Sequence, residues 1–274
     1  MQRDPEKHPW SGPAKLKLYR SLVVHQFPCL QDNYGYLVHC KLSGLTACID
    51  TPDVAAIENA LEEKGWALTH ILNTHHHPDH AGGNLELKEK TGCKVVGPKH
   101  DAKRIPGIDI LVDEVTQFRF GTNEVEVLNT PGHTTGHIAY RFRTHNIAFV
   151  GDTLFSMGCG RLFEGTPAIM WHSLQKIMQW PDHTLLYCAH EYTQSNARFA
   201  LTVEPENREL QSRARRVDEL RSAGEPTVPT SLKIEKLTNP FLRPDSPGIR
   251  RQLNMEQAGD VEVFAEIRSR KDAF

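Results

Sequence analysis

Short apolar runs in this chain repeatedly end on a side chain able to bind a metal ion. "ILNT" leads into His75, "VEVLNTPG" into His133, "IAFVG" into Asp152 and "LLYCA" into His190. Runs of this length, bounded by turn residues, read as buried strands, and helical patterns fall between several of them. The alternation predicts an α/β fold, in which side chains at one edge of a sheet meet however far apart they lie in sequence. The chain is thereby constrained to a layered structure whose strand ends share a rim.

The first of these ends is the most crowded. "THHHPDH" sets His75, His76, His77 and His80 around Asp79. Protonated imidazoles repel one another, and neutral ones need partners for both ring nitrogens. A metal meets both needs. Across the four strand ends the candidates are His75, His77, Asp79, His80, His133, Asp152 and His190, a set of five imidazoles and two carboxylates. Such donors suit a borderline divalent ion such as zinc. A catalytic zinc takes about three protein ligands and a water, so the set exceeds one ion and matches two. His75, His77 and His133 are expected at one metal, and Asp79, His80 and His190 at the other. Asp152 is expected to bridge them, because a carboxylate has two oxygens to share. His76, between two ligands on a turn, should point away.

His137, His145, His172 and His183 read as ordinary structural or surface residues, with His145 in a hairpin turn and His172 on an amphipathic helix. Asp50, which closes "LTACID", is either a turn residue or an outer partner that orients a ligand histidine, and the letters leave both open. Cys29, Cys40, Cys48, Cys93, Cys159 and Cys188 are scattered without a CxxC pair and read as reduced, buried residues.

Between the motifs, "YGYLVHC" and "LTACID" read as paired strands, "DVAAIENALEEKG" as a helix stopped by its glycine, and "LTHILNT" as the strand entering the histidine loop. A helix over "GGNLELKEKTG" follows, then strands over "CKVVGP", "VTQFRFG", "NEVEVLNTPG", "HIAYRFRT" and "NIAFVGD". "AIMWHSLQKIMQW" is an amphipathic helix and "TLLYCAH" another buried strand. From about residue 195 the pattern changes: "QSNARFALTVEPENRELQSRARRVDELRSAG" reads as helical throughout, followed by a linker, "EPTVPTSL", and a closing helical segment. A catalytic domain over 1–194 and a mostly helical one over 195–274 are expected.

A net charge of −2 over 274 residues gives no reason to expect nucleic acid or an anionic membrane surface as the partner. No apolar run approaches the roughly 18 residues of a membrane span. The N-terminus, "MQRDPEKHPWSGPAKLKLYRSL", lacks the apolar core of a secretory signal. A cytoplasmic monomer is expected, with the mitochondrion the alternative in a eukaryote.

"THHHPDH", "PGHTTGH", "VGDTLF", "GCGRLFEG" and "AHEYT" resemble the metallo-β-lactamase superfamily. With the closing R-x-x-K of Arg268 and Lys271, they resemble its hydroxyacylglutathione hydrolase, or glyoxalase II, family. The likeness runs from "QDNYGYLV" to "RSRKDAF", nearly the whole chain. It implies a four-layer αββα sandwich followed by a smaller C-terminal helical domain. It implies two divalent metal ions, zinc foremost with iron or manganese as alternatives. The implied reaction cleaves S-D-lactoylglutathione and related S-2-hydroxyacylglutathiones to D-lactate and glutathione, the second step of methylglyoxal detoxification. The resemblance also puts Arg161, Phe163, Tyr192, Arg268 and Lys271, beside His133, against the glutathione moiety. Phe163 stands where many members have Tyr, and Arg161 where others have Lys, which keeps the charge and changes its geometry. Without the resemblance, Arg268 and Lys271 would read as a solvated basic helix end.

The ligand set implies the chemistry. A water held between two cations becomes hydroxide near neutral pH and attacks the thioester carbonyl, while one metal polarises the oxygen. The leaving thiolate, with an intrinsic pKa of about 8.5, needs no strong general acid. Three rivals share features with this reading. A mononuclear-iron persulfide dioxygenase has a similar first domain but typically no comparable R-x-x-K tail. A nucleic-acid phosphodiesterase calls for a basic groove, and a non-catalytic metal-binding homologue tolerates a lost ligand.

Overall fold

The computed structural model describes residues 21–274. The N-terminal stretch read above for a secretory signal lies almost wholly outside the described residues. The first layer is built from β1 (Leu22–Cys29), β2 (Asn33–Cys40) and β3 (Leu45–Ile49), then helix α1 (Val54–Lys64) and β4 (His70–Leu72). Two short helices, α2 (Pro78–Ala81) and α3 (Asn84–Thr91), precede β5 (Lys94–Pro98) and β6 (Ile110–Val112). These six strands form one sheet in sequence order, antiparallel from β1 to β3 and parallel from β3 to β6.

The second layer begins with β7 (Phe118–Phe120), β8 (Asn123–Asn129), β9 (Ile138–Phe142) and β10 (Ile147–Gly151). A two-stranded hairpin, β11 (Leu154–Phe155) and β12 (Gly158–Cys159), leads to helix α4 (Pro167–Met178) and β13 (Leu185–Cys188). The remainder comprises α5 (Thr193–Val203), α6 (Arg208–Ser222), β14 (Thr230–Ser231), α7 (Leu232–Thr238), α8 (Pro247–Leu253) and α9 (Asp260–Ala273). The second sheet has the order β14-β13-β10-β9-β8-β7.

Period-two alternation explains the layering. In the first sheet Leu37, Cys48, Ile71 and Val95 pack outward under α1 and α3, with Ile57, Leu61 and Leu87. Their neighbours Tyr36, Val38, Ala47, Ile49, Leu72 and Val96 pack inward against Val125, Val127, Tyr140 and Phe149 of the second sheet. The outer face of the second sheet is covered by α4 and by Trp180 just beyond its end, whose ring lies under the Arg141 guanidinium. Burying each large apolar side chain contributes about 1.5–3 kcal/mol, so both sheets are held by apolar contact on both faces. That is why β2, β3, β5, β9 and β10 read as apolar runs, whereas β8 and β13 alternate. Helix ends follow the sequence: Asp53 caps α1 through Ala56 N, and Gly65 ends it at φ 64°.

Three expectations change. "LVVHQFPC" was not anticipated as a strand, yet β1 pairs with β2 along its whole length; it is an edge strand that is mostly half-buried, so its apolar signal is weak. The polar segment expected to be helical throughout is broken between α5 and α6, because Pro205 has no N–H to continue the helix and Asn207 caps the next one through Leu210 N. The expected linker contains β14, which joins β13 as the outermost strand of the second sheet.

The C-terminal helices grip the hairpin that follows Asp152. Glu235 of α7 accepts from Met157 N at 2.7 Å, and Asn239 donates to Phe155 O and Gly158 O at 3.1 and 3.0 Å. Asn196 of α5 donates to Ser156 O at 3.0 Å. The hairpin is thereby held by residues of the C-terminal helical part.

Candidate metal centre and adjoining cleft

Four strand ends converge on one rim. β4 delivers Asn73, Thr74 and His75, and His77 stands at the N-terminus of α2, which carries Asp79 and His80. The ends of β8, β10 and β13 deliver His133, Asp152 and His190. Parallel pairing sets Gly151 opposite Cys188, so Asp152 and His190 emerge side by side. Gly151 has φ +47°, and a Cβ there would lie 2.6 Å from His137 Nε2 and 2.7 Å from Thr74 Oγ1. Only glycine fits this turn.

The seven expected side chains come together in overlapping groups. His75, His77 and His133 form one; His75, His80 and Asp152 another; Asp79, His80 and His190 a third, with donor atoms in each group within 4.8 Å of one another. Asp152 lies between the outer two groups: Oδ2 is 3.5 Å from both His133 Nε2 and His190 Nε2, and Oδ1 is 3.4 Å from His80 Nε2. Asp79 Oδ2 is 3.4 Å from His80 Nε2 and 3.5 Å from His190 Nε2.

Hydrogen bonds from outside fix which nitrogen of each ring faces inward. His133 Nδ1 donates to Arg161 O at 2.8 Å, and His190 Nδ1 donates to Asp32 Oδ1 at 2.9 Å. His80 Nδ1 donates to Asp50 Oδ2 at 2.8 Å. Thr74 Oγ1 gives its only proton to Asp50 Oδ2, so it accepts from His75 Nδ1 at 3.1 Å. In its neutral form each of the four rings therefore carries its proton on the outside and turns a bare Nε2 lone pair inward. Those lone pairs meet each other and two carboxylates: His75 Nε2 and His133 Nε2 are 3.0 and 3.2 Å from His77 Nδ1. His80 Nε2 and Asp152 Oδ1 are buried, with no hydrogen-bond partner among the described residues. Lone pairs facing carboxylates repel unless positive charge lies between them, and a divalent cation supplies it. The fold and the donor set together support divalent metal binding.

Titration behaviour expresses the same demand. Burial opposes protonation of His80, yet the Asp152 and Asp50 carboxylates push it well above the usual imidazole range. Burial also opposes ionisation of Asp152, but His80, His190 and His133 hold it well below the usual carboxylate range. His77 is pushed down to about 4 by burial and by the neighbouring His133, which outweigh the opposing Asp152 carboxylate.

Asp50, left open by its letters, is both things: a turn residue at φ 56° and the acceptor that orients His80 directly and His75 through Thr74. His76 points away, toward Asp101 Oδ2 at 3.1 Å. Asp32, Asn33 and Thr74 were not anticipated, while His137 is the structural residue expected, buried beside the cluster. Asn33 donates to Asp79 Oδ2, and His137 Nε2 accepts from Asp152 N at 3.1 Å while its Nδ1 faces Thr130 and Thr153. A general cue existed: each ligand-like histidine needs an outer carboxylate or carbonyl. No cue says which residue supplies it. All six cysteines are free and buried, and burial holds Cys159 and Cys188 up at about 11 and 12 as unreactive thiols.

A cleft of about 430 Å³ opens from His133 and Asp152, lined by Arg161, Phe163, Tyr192, Arg268 and Lys271. Tyr192 stacks on His190 with ring planes 2° apart. Phe163, exposed, presents its ring to His133 and His77 at 5.2 and 5.7 Å. Arg268 is not the solvated side chain its helix end suggests. It is 5% exposed, donates to Cys159 O and Asp272 Oδ1 at 2.8 Å each, and lies over the Phe241 ring. Lys271 sits between the Phe199 and Phe274 rings, and burial, with Arg268 and Arg161 nearby, lowers it to about 8.

Residues 48–190 match the metallo-beta-lactamase superfamily, and residues 191–274 match the family described as hydroxyacylglutathione hydrolase C-terminus. The hydroxyacylglutathione hydrolase of Maricaulis maris (strain MCS10) is 56% identical over 253 residues, covering 92% of this chain and 99% of the relative. That of Rhizobium meliloti (strain 1021) is 52% identical over 254 residues, covering 93% and 99%. Among solved structures, ETHE1 from Myxococcus xanthus superposes with a TM-score of 0.65 at 25% identity, covering 90% of each chain. The full-length likeness to the first two, joined to the C-terminal family match and the metal-suited rim, means that this chain belongs to the hydroxyacylglutathione hydrolase family of the metallo-β-lactamase superfamily.

Proposed function

We propose that this chain hydrolyses S-D-lactoylglutathione and related S-2-hydroxyacylglutathiones, releasing D-lactate or its homologue and glutathione. The observation that carries the reading is one cleft with two kinds of wall. His133 and Asp152 of the cluster line it together with the cationic Arg161, Arg268 and Lys271. A glutathione thioester has a carbonyl to be attacked and two carboxylates to be anchored, and the cleft offers groups for each.

In this reading His75, His77, His133 and Asp152 hold one divalent ion, and Asp79, His80, His190 and Asp152 a second. Zinc is the first candidate, and iron or manganese accept the same donors. When bound, the two cations provide a nucleophilic water at neutral pH and charge against the developing oxyanion. The chain's own residues do the rest. Asp50, Asp32 and the Arg161 carbonyl keep inward lone pairs on His80, His190 and His133. Arg268 and Lys271, with Arg161 and Tyr192, hold the tripeptide so that its thioester faces His133 and Asp152. The glutathione thiolate leaves unaided, in keeping with its low intrinsic pKa.

We read 1–194 as the catalytic unit and 195–274 as the substrate-binding one, because Arg268 and Lys271 enter the cleft from α9. We read the protein as a monomer, since the donor groups and the cleft lining are complete without a second copy. Six free cysteines support a reducing compartment such as the cytoplasm. The reading is tested by following thioester loss and thiol release from S-D-lactoylglutathione on protein of measured metal content. No release from a metal-loaded sample sinks it.

A further inference from the structure

Outside the cluster, four loops meet at a network of charged side chains that neither the ligand set nor the cleft lining includes. Arg104 follows β5 and spans both oxygens of Glu164, at 2.5 Å from Nη1 to Oε1 and 3.1 Å from Nη2 to Oε2. Its other edge donates to the buried Asp101, from Nε at 3.1 Å and from Nη2 at 2.5 Å. Glu164 Oε2 also accepts from Thr135 N and Thr135 Oγ1, at 2.7 and 2.9 Å. His76 closes the ring: its Nδ1 is 3.1 Å from Asp101 Oδ2, and its Nε2 is 3.2 Å from Arg104 Nη1. Arginine can only donate, so His76 Nε2 accepts and Nδ1 carries the proton.

Three of its members sit beside a ligand or a cleft residue. His76 separates His75 from His77, Thr135 lies two residues past His133, and Glu164 directly follows Phe163. The 160–165 segment matters most. One end is wedged under the cluster: a Cβ at Gly160 would lie 2.0 Å from Asp152 O, and Arg161 O accepts from His133. The other end is tied by Gly165 N donating to Gly132 O at 3.1 Å. Between these anchors Arg161 and Phe163 line the cleft with most of their surface exposed, Arg161 reaching Asp272 only at 4.0 Å and Phe163 meeting the His77 and His133 rings on one side. Glu164 is the only side chain of the segment with a bidentate tie, and its partner arrives from 60 residues away in sequence.

We propose that Arg104 and Glu164 are positioning residues for substrate recognition, holding the Arg161–Phe163 wall at the spacing the thiol half of the thioester requires. The inference rests on the hydrolase reading above. Neither residue lines the cleft, so the pair acts through the segment it pins. Loosening it should weaken binding of the tripeptide and leave the reacting end alone, because Gly160 stays wedged against Asp152 O and the Arg161 carbonyl that holds His133 lies at that fixed end, away from Glu164.

The test uses the metal-loaded full chain with Glu164→Gln and, separately, Arg104→Lys, which keeps the charge and loses the bidentate fork. Three quantities are read: KM and kcat for S-D-lactoylglutathione, kcat/KM for S-lactoyl-N-acetylcysteamine, which lacks both tripeptide carboxylates, and equilibrium binding of S-methylglutathione, which cannot be hydrolysed. The expected result is a roughly five- to tenfold rise in KM and an equal loss of S-methylglutathione affinity, with kcat and metal content near wild type, as when uniform binding is lost. The short thioester should be processed as before. Unchanged KM and S-methylglutathione binding in both variants overturn the proposal. So do equal losses on both thioesters together with metal, which would make the network mere support for the fold. Wild-type protein that binds S-methylglutathione but does not hydrolyse the thioester overturns the functional reading instead, and the binding arm still decides the role of the pair.

Discussion

Asp32 Oδ1 accepts the Nδ1 proton of His190 across 158 residues of sequence, at 2.9 Å. The bond fixes the ring with its bare Nε2 turned toward Asp79 and Asp152. Outer partners of this kind typically matter 10- to 100-fold in metal affinity. Asp32→Ala should therefore lower occupancy beside Asp79, His80 and His190 while sparing the His75, His77 and His133 group. Competition with a chelator, read by elemental analysis, checks this; equal retention of metal by variant and wild type would contradict it.

Asp50 serves two rings, His80 directly and His75 through Thr74, which belong to different groups. Asp50→Asn keeps a residue type that tolerates φ 56° and removes the charge. It should cost more metal than Asp32→Ala and touch both groups. A loss confined to one group, by the same competition, would show that the Thr74 relay carries nothing.

Lys271 gives a pH signature. Burial, then the Arg268 and Arg161 charges, lower it to about 8. Its charge in the free protein is thus lost as pH rises through about 8, and KM for an anionic glutathione thioester should climb above that pH while kcat holds. The same shift acts on stability with the opposite sense. The unfolded lysine keeps its proton to roughly pH 10.4, so between the two values the unfolded chain binds more protons and stability rises with pH. Lys271→Ala should flatten the KM profile. A profile unchanged by the substitution would remove Lys271 from recognition.

Gly151→Ala should be severe for a residue that carries no chemistry. A left-handed non-glycine residue costs about 1–2 kcal/mol, and the added methyl would press on His137 Nε2 and Thr74 Oγ1. Both support the cluster, so a lower Tm and reduced metal content are expected together. Thermal unfolding that matched wild type would mean that the strand end relaxes freely.

Much of this was legible in the letters, for a physical reason. A strand buried on both faces must be an apolar run, so a His or Asp soon after one is conspicuous, as at His75 and Asp152; His133 and His190 follow β8 and β13, which alternate in burial yet are still rich in apolar residues. The partners that aim those rings are hidden for the converse reason. Asp32, Thr74 and Glu164 sit in polar turns, where Asp, Thr and Glu are common, and only folding shows what they touch. Asp50 shows the boundary: its strand end is legible, its role is not. Arg268 misleads on its own, because a basic residue near a helix C-terminus is ordinarily solvated, and its burial under Phe241 depends on contacts remote in sequence. β1 stayed unseen because a half-buried edge strand carries little pattern.

The account depends most on Asp152 joining two groups of donors. Metal content and S-D-lactoylglutathione hydrolysis, measured on the same preparations of wild type and Asp152→Ala, test that dependence directly. The prediction is about two divalent ions per chain with activity in the wild type, and loss of both ions and of activity in the variant. A variant that keeps two ions and hydrolyses the thioester at the wild-type rate would contradict it.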